Sequence, residues 1–135
     1  MVDIDLGKLS APLEELRTEV DAAYKRLDSQ WDRVSKQLSK LPIPIDIHFT
    51  YFSNPSGHHW INLEWKKWKG KRRICLVSHL QGNGPEGWEE DETVTPYEEW
   101  GGELRINMLQ YVPKLFEAAV EQTKAFIEKT HGGKQ

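Results

Sequence analysis

Along HHWINLEWKKWKGKRRICLVSHL (58–80), apolar and polar positions alternate twice, over Trp60–Trp68 and Lys71–Leu80, on either side of Lys69-Gly70. Period-two alternation predicts strands, and glycine at the second loop position suits the positive φ of a two-residue hairpin turn. Closing that turn sets Trp65 opposite Ile74, Leu63 opposite Leu76 and Ile61 opposite Ser78. The other face then carries Glu64 beside Cys75, Asn62 beside Val77 and Trp60 beside His79. An apolar face backed by a mixed one is the pattern of a half-buried antiparallel pair.

Ile43–Phe52 alternates too and predicts a first strand, with Ile45, Ile47, Phe49 and Tyr51 on one face and Asp46, His48, Thr50 and Phe52 on the other. If the Ser53–Gly57 loop sets Phe52 opposite His58, then Phe49 meets Ile61, Ile47 meets Leu63 and Ile45 meets Trp65. The apolar rows of all three strands coincide in that register.

Outside this block the period changes. Residues 1–9 read as a loose arm. From the Ser10 cap and Pro12, apolar residues recur at three- and four-residue steps: Leu13, Leu16, Val20, Ala23, Leu27, Trp31 (or Gln30), Val34, Leu38 and Leu41. That predicts a helix of about 30 residues and about 45 Å, stopped by Pro42 and Pro44. Residues 81–102 read as an acidic, glycine-rich connection. It has room for a short strand at Thr93–Thr95 and for a helical turn capped by Thr95-Pro96. A second helix follows Gly101-Gly102, with Met108, Leu109, Val112, Leu115, Phe116, Ala119 and Val120 at helical spacing, a kink at Pro113 and an end at His131-Gly132-Gly133. The expected fold is one α+β domain over 1–135, ordered α-β-β-β-α: a three-stranded antiparallel meander with two long helices on its Ile47/Leu63/Leu76 face.

Composition narrows the setting. A chain of 135 residues is long enough for a core without staples, and six tryptophans argue against disorder. A net charge of −3 implies no partner by itself. The single cysteine, Cys75, excludes an internal disulfide and fits a reducing compartment. No stretch approaches the roughly 20 apolar residues of a membrane span, and the start lacks a signal-like apolar run. Cytoplasm is expected, with no membrane partner.

The helix-free face carries His48, Thr50, Trp60, Asn62, Val77 and His79, and is more apolar than exposure to water explains. A partner, a second subunit or the acidic segment is expected over it. No metal and no cofactor are expected. His48 and His79 straddle Asn62 at nearly 10 Å, His58 and His59 point to opposite faces, and no HExxH or CxxC spacing occurs. Cys75 beside Glu64 has a neighbour that raises a thiol pKa, and Ser78 has no histidine expected on its face. An Asp46–Glu64 pair across the first two strands is a candidate acid/base dyad. QGNGPEG (81–87) lacks the Lys-Ser/Thr of a phosphate loop.

The hairpin tip concentrates Lys66, Lys67, Lys69, Lys71, Arg72 and Arg73 around Trp65 and Trp68. Cations interleaved with aromatics suit a nucleic-acid backbone, or else pair with Glu86, Glu89, Glu90, Asp91 and Glu92. The α-β-β-β-α order resembles the double-stranded-RNA-binding domain. That family opens its last helix with lysines, whereas this chain has Glu98-Glu99-Trp100-Gly101-Gly102-Glu103 and a much longer first helix. The pattern of Trp65, Lys67, Gly70, Lys71 and Arg73, with Arg105, Ile106 and Val112–Leu115, resembles small uncharacterised bacterial proteins over the second half of the chain. That resemblance implies a domain of unknown function and no catalytic residue.

The functional expectation is a non-enzymatic protein-interaction or homodimerisation module using the open sheet face and the helical overhang, since strands of about ten residues reach only about 33 Å. Nucleic-acid binding through Lys66–Arg73, with Trp68, is the alternative. Small-molecule binding or catalysis at His48, Trp60 and His79 is third.

Overall fold

Asp5 starts the first helix, five residues ahead of Ser10. Its backbone is extended (φ −91°, ψ 93°), and its side chain accepts the Lys8 N–H at 3.1 Å. In the computed structural model, which describes residues 3–84 and 87–131, Leu6–Leu9 are therefore helical, not a loose arm. The expected single helix is two, α1 (Leu6–Glu14) and α2 (Arg17–Lys40). Pro12 has no N–H for the ladder, and four residues on Leu16 bonds the Leu13 carbonyl (3.0 Å) in a tightened turn. Glu15 and Leu16 keep right-handed backbone, so α1 runs into α2 across a bend. Arg17 clips that bend through a bidentate pair with Glu14 (2.8 and 2.6 Å), which holds the Glu14 carboxyl below its ordinary pKa.

The sheet has four strands, not three: β1 (Ile47–Ser53), β2 (His59–Trp68), β3 (Lys71–Gly84) and β4 (Gly87–Pro96), an antiparallel meander in chain order. The β2–β3 pairs are those the alternation predicts, from Trp60↔His79 to Trp65↔Ile74. Lys69 (φ 55°) and Gly70 (φ 94°) both take the left-handed backbone that this tight turn demands.

Two expectations need correction. Most of the connection 81–102 is strand, since β3 runs on to Gly84 and β4 pairs with it from Gly87 to Pro96. The strand is an edge crowded with carboxylates and exposed on both faces over its first half, which hides the alternation that marks a strand. Pro85 and Glu86, within the expected loop, lie outside the described residues. The β1–β2 register is also displaced by two residues: Ile47 meets Trp65 and Phe49 meets Leu63, and a bulge then sets Phe52 against Ile61. The loop closes at Asn54, whose N–H donates to the His59 carbonyl (2.9 Å) and whose side chain accepts the His59 N–H (3.1 Å). An even shift preserves the faces. It does separate Asp46 from Glu64, which now lies opposite His48.

After β4 a 3-10 turn (Tyr97–Glu99), α3 (Gly102–Met108), another 3-10 turn (Leu109–Tyr111) and α4 (Val112–His131) complete the chain. Pro113 sits in the first turn of α4, where its missing N–H costs little, so the expected kink is a break between helices. Trp31 and Leu38 of α2 and Leu115 and Ala119 of α4 pack on Ile47, Leu63, Trp65 and Ile74. The helices therefore cover the face expected of them. The Trp31 indole N–H donates to the Arg105 carbonyl (3.0 Å), and the Trp100 ring meets Trp31 edge-on at 5.1 Å. Arg105 reaches the Trp100 and Glu98 carbonyls and pairs with Asp28, fastening α3 to α2. The Gln122 amide bonds both the N–H and the C=O of His48, standing in for a strand along the β1 edge. No helix among the described residues is long and apolar enough to cross a membrane.

Candidate functional site

On the helix-free face, β1 to β4 lay down rows of side chains: His48, Glu64, Cys75 and Pro96, then Thr50, Asn62, Val77 and Val94, then Ser53, Trp60, His79 and Glu92. Thr50 and Asn62 therefore share a row, one step from that of Trp60 and His79. The Thr50 hydroxyl donates to Asn62 Oδ1 (2.5 Å), and Asn62 Nδ2 donates to Glu64 Oε2 (2.9 Å). Glu64 and His79 lean toward each other across the middle row until Oε2 and Nε2 are 3.7 Å apart. On its other edge, His79 Nδ1 lies 3.6 Å from Glu90 and 3.7 Å from Glu92. The Trp60 ring stacks on the imidazole at 4.9 Å.

This network covers the middle of the face with its own side chains, while His48 and Thr50 on β1 stay exposed and Trp60 and His79 are half-buried. Val77 and Cys75, expected on an open surface, are 0 % exposed, and Asn62 and Glu64 are buried. The acidic segment supplies part of the cover through Glu90 and Glu92. Burial, then the neighbouring Glu64 and Glu98 carboxylates, push the Cys75 thiol up to about 12. At neutral pH it is a packed thiol and no nucleophile. Sequence reasoning missed the Ser78 hydroxyl on the opposite face, 3.3 Å from His59 Nε2. His59 and Ser78 occupy diagonal positions across β2 and β3, a contact the register implied. No third group among the described residues bonds the other nitrogen of His59, so the dyad lacks the orienting partner of an activated nucleophile. Among the described residues no group of three His, Cys, Asp or Glu side chains is placed to hold a metal ion.

The basic tip is partly committed to the fold. Arg72 bonds Asp46 (3.1 Å) and the Ile43 and Pro44 carbonyls (both 3.2 Å), and Asp46 also accepts the Lys67 N–H (3.0 Å). This brace holds residues 43–46, expected as strand, outside the sheet, and it removes Asp46 from any dyad with Glu64. Arg73 bonds the Trp68 carbonyl and pairs with Glu98 at 3.9 Å. Among the described residues, Asp46 and Glu98 are therefore the carboxylates that meet these arginines. Lys67, Lys69 and Lys71 stay exposed, and Lys66 and Trp68 are half-buried.

An uncovered apolar row runs along the first helices. Leu6, Leu9, Leu13, Leu16 and Val20 are 46–72 % exposed, and α1 buries no residue at all. They succeed one another at steps of three, four, three and four, which places them on one side of the rod. The same rod, about three turns beyond Val20, begins to insert Trp31 and then Leu38 into the core. The sequence signal for the first part of this row, Leu6 and Leu9, sat inside the segment that reads as an arm. The chain matches no family model, no curated protein and no solved structure.

Proposed function

We propose that this protein is a non-enzymatic self-association module, a homodimer joined through the rod of α1 and the first turns of α2. One observation carries the reading: five large aliphatic side chains in a single row stand in solvent, on the stretch of the rod that adds nothing to the buried core. Fully burying a leucine stabilises by about 1.5–3 kcal/mol, so an uncovered row of five is a substantial gain left unrealised in the lone chain. Isolated helices of this length are marginal in water. A contact that buries the row also supports the helix that bears it. Two-fold pairing is the commonest way to supply such a contact.

The sheet face offers less for the same purpose, because Val77 and Cys75 are already covered by Glu64, His79 and their neighbours. Nucleic-acid binding would rest on Lys66, Lys67, Lys69 and Lys71, since Arg72 and Arg73 are bonded within the fold. Sedimentation equilibrium at micromolar concentration tests the proposal. A mass of twice the 15.7 kDa chain supports it, and a single-chain mass throughout overturns it.

A further inference from the structure

We infer that the two copies pair antiparallel, the exposed α1–α2 row of each lying in a groove between α2 and the α3–α4 junction of the other. The inference rests on the self-association reading above and specifies its geometry. From Leu6 the apolar row continues without a break in step, through Leu9, Leu13, Leu16, Val20, Ala23 and Leu27, a strict alternation of three and four. Such a seam is what two helices share in a coiled coil. It does not stop where the core begins. Two adjoining open hollows make a groove along it: Ala23 and Leu27 line one with Ile106, Val34 lines the next with Leu109 and Phe116, and Gln30 and Arg33 border both. Ile106 is 57 % exposed there, although α3 is otherwise fastened down.

An overhang of five apolar residues and a groove on the next stretch of the same rod are a donor and an acceptor. One chain cannot bring them together, because a helix cannot fold onto its own continuation. A second copy can, reciprocally, about a two-fold axis. Setting Val20 of one chain against Ala23 of the other places Leu16 against Leu27, Leu13 against Gln30 and Leu9 against Val34. The two glutamine layers, Gln30 and Gln37, weaken the seam and keep the pairing reversible.

Charge selects this orientation. The position flanking the seam, read every seven residues, holds Asp5, Pro12 and Glu19 in the overhanging half and Arg26, Arg33 and Lys40 in the groove half. Antiparallel pairing in the register above brings like flanks together, so Glu19 meets Arg26 and Asp5 meets Lys40 of the other copy, each contact occurring twice. A parallel pair would oppose this flank to the other one instead. None of Asp5, Glu19, Arg26, Arg33 and Lys40 has an ion-pair partner in its own chain among the described residues. Arg26 and Arg33 both border the groove.

Two measurements on the full chain decide it. The double variant L16C/L27C should close into a covalent dimer under mild oxidation, while each single variant should not. Eleven residues apart on one rod, at about 1.5 Å per residue, the two thiols cannot meet within a chain. Cys75, fully buried, stays out of the reaction. Separately, E19R and R26E should each raise the dimer dissociation constant about tenfold, and E19R/R26E together should return it to within about threefold of the parent. A dimer that neither cross-links at 16/27 nor shows rescue overturns this geometry and leaves self-association standing. A parent chain that is monomeric overturns both.

Discussion

The two halves of the α1–α2 rod repeat one pattern and meet opposite fates. Trp31 and Leu38 lie at 0 % and 1 % exposure against Ile47, Leu63 and Leu115, whereas Leu9 and Leu13, at the same kind of helical spacing, are 65 % and 72 % exposed. Propensity does not separate them, and neither does amphipathicity. Packing does: Trp31 and Leu38 belong to the buried core cluster, and no residue of α1 does. A hydrophobic stripe states that a helix needs cover, and only the extent of the partner surface states how much it receives. In the first half, among the described residues, nothing in the chain buries a residue of α1.

Substitutions across the two halves sharpen the contrast. Trp31→Ala should cost about 3–5 kcal/mol in denaturant unfolding, since it empties a packed site and removes the bond to the Arg105 carbonyl. Leu13→Ser should change the stability of the isolated chain by no more than about 0.5 kcal/mol while removing self-association in sedimentation. Equal losses at the two positions would mean that the rod is covered throughout. Asn62→Ala strips buried Glu64 and the hydroxyl of exposed Thr50 of their shared partner and should cost about 1–3 kcal/mol, with no effect on the dimer.

The last contrast concerns Cys75. Its thiol should resist alkylation at pH 8 in the native protein and react only on unfolding. Its folded pKa, about 12, lies above the ordinary thiol value of 9.0, so the folded state holds the proton more tightly. The stability this contributes is present below pH 9 and declines as pH rises from about 9 to about 12. Chemical denaturation across that window should show the decline, and Cys75→Ala should flatten it.

Much of this could be read from residues alone, and the failures have physical causes. The β2–β3 register was legible because a two-residue turn leaves no slack between the two runs. The β1–β2 register was not, because Asn54 closes the loop with its own side chain and a bulge absorbs the difference. β4 was hidden because its carboxylates face water on both sides, so no apolar period marks it. The helix-free face was legible as a set of residues but not in its state. That Glu64 and His79 meet over Val77 depends on how two long side chains lean across a row. The overhang was foreseeable from helix and strand lengths, yet its starting point was not, because Asp5, not Ser10, caps the helix.

Hydrogen exchange followed by mass spectrometry at two protein concentrations tests the central claim most directly. If the exposed row is the joint between two copies, amides from Leu9 to Tyr24 are protected at high concentration and lose that protection on dilution, while those of Asn62–Trp65 and Ile74–Val77 do not change. Protection over Leu9–Tyr24 that stays the same at both concentrations would contradict it.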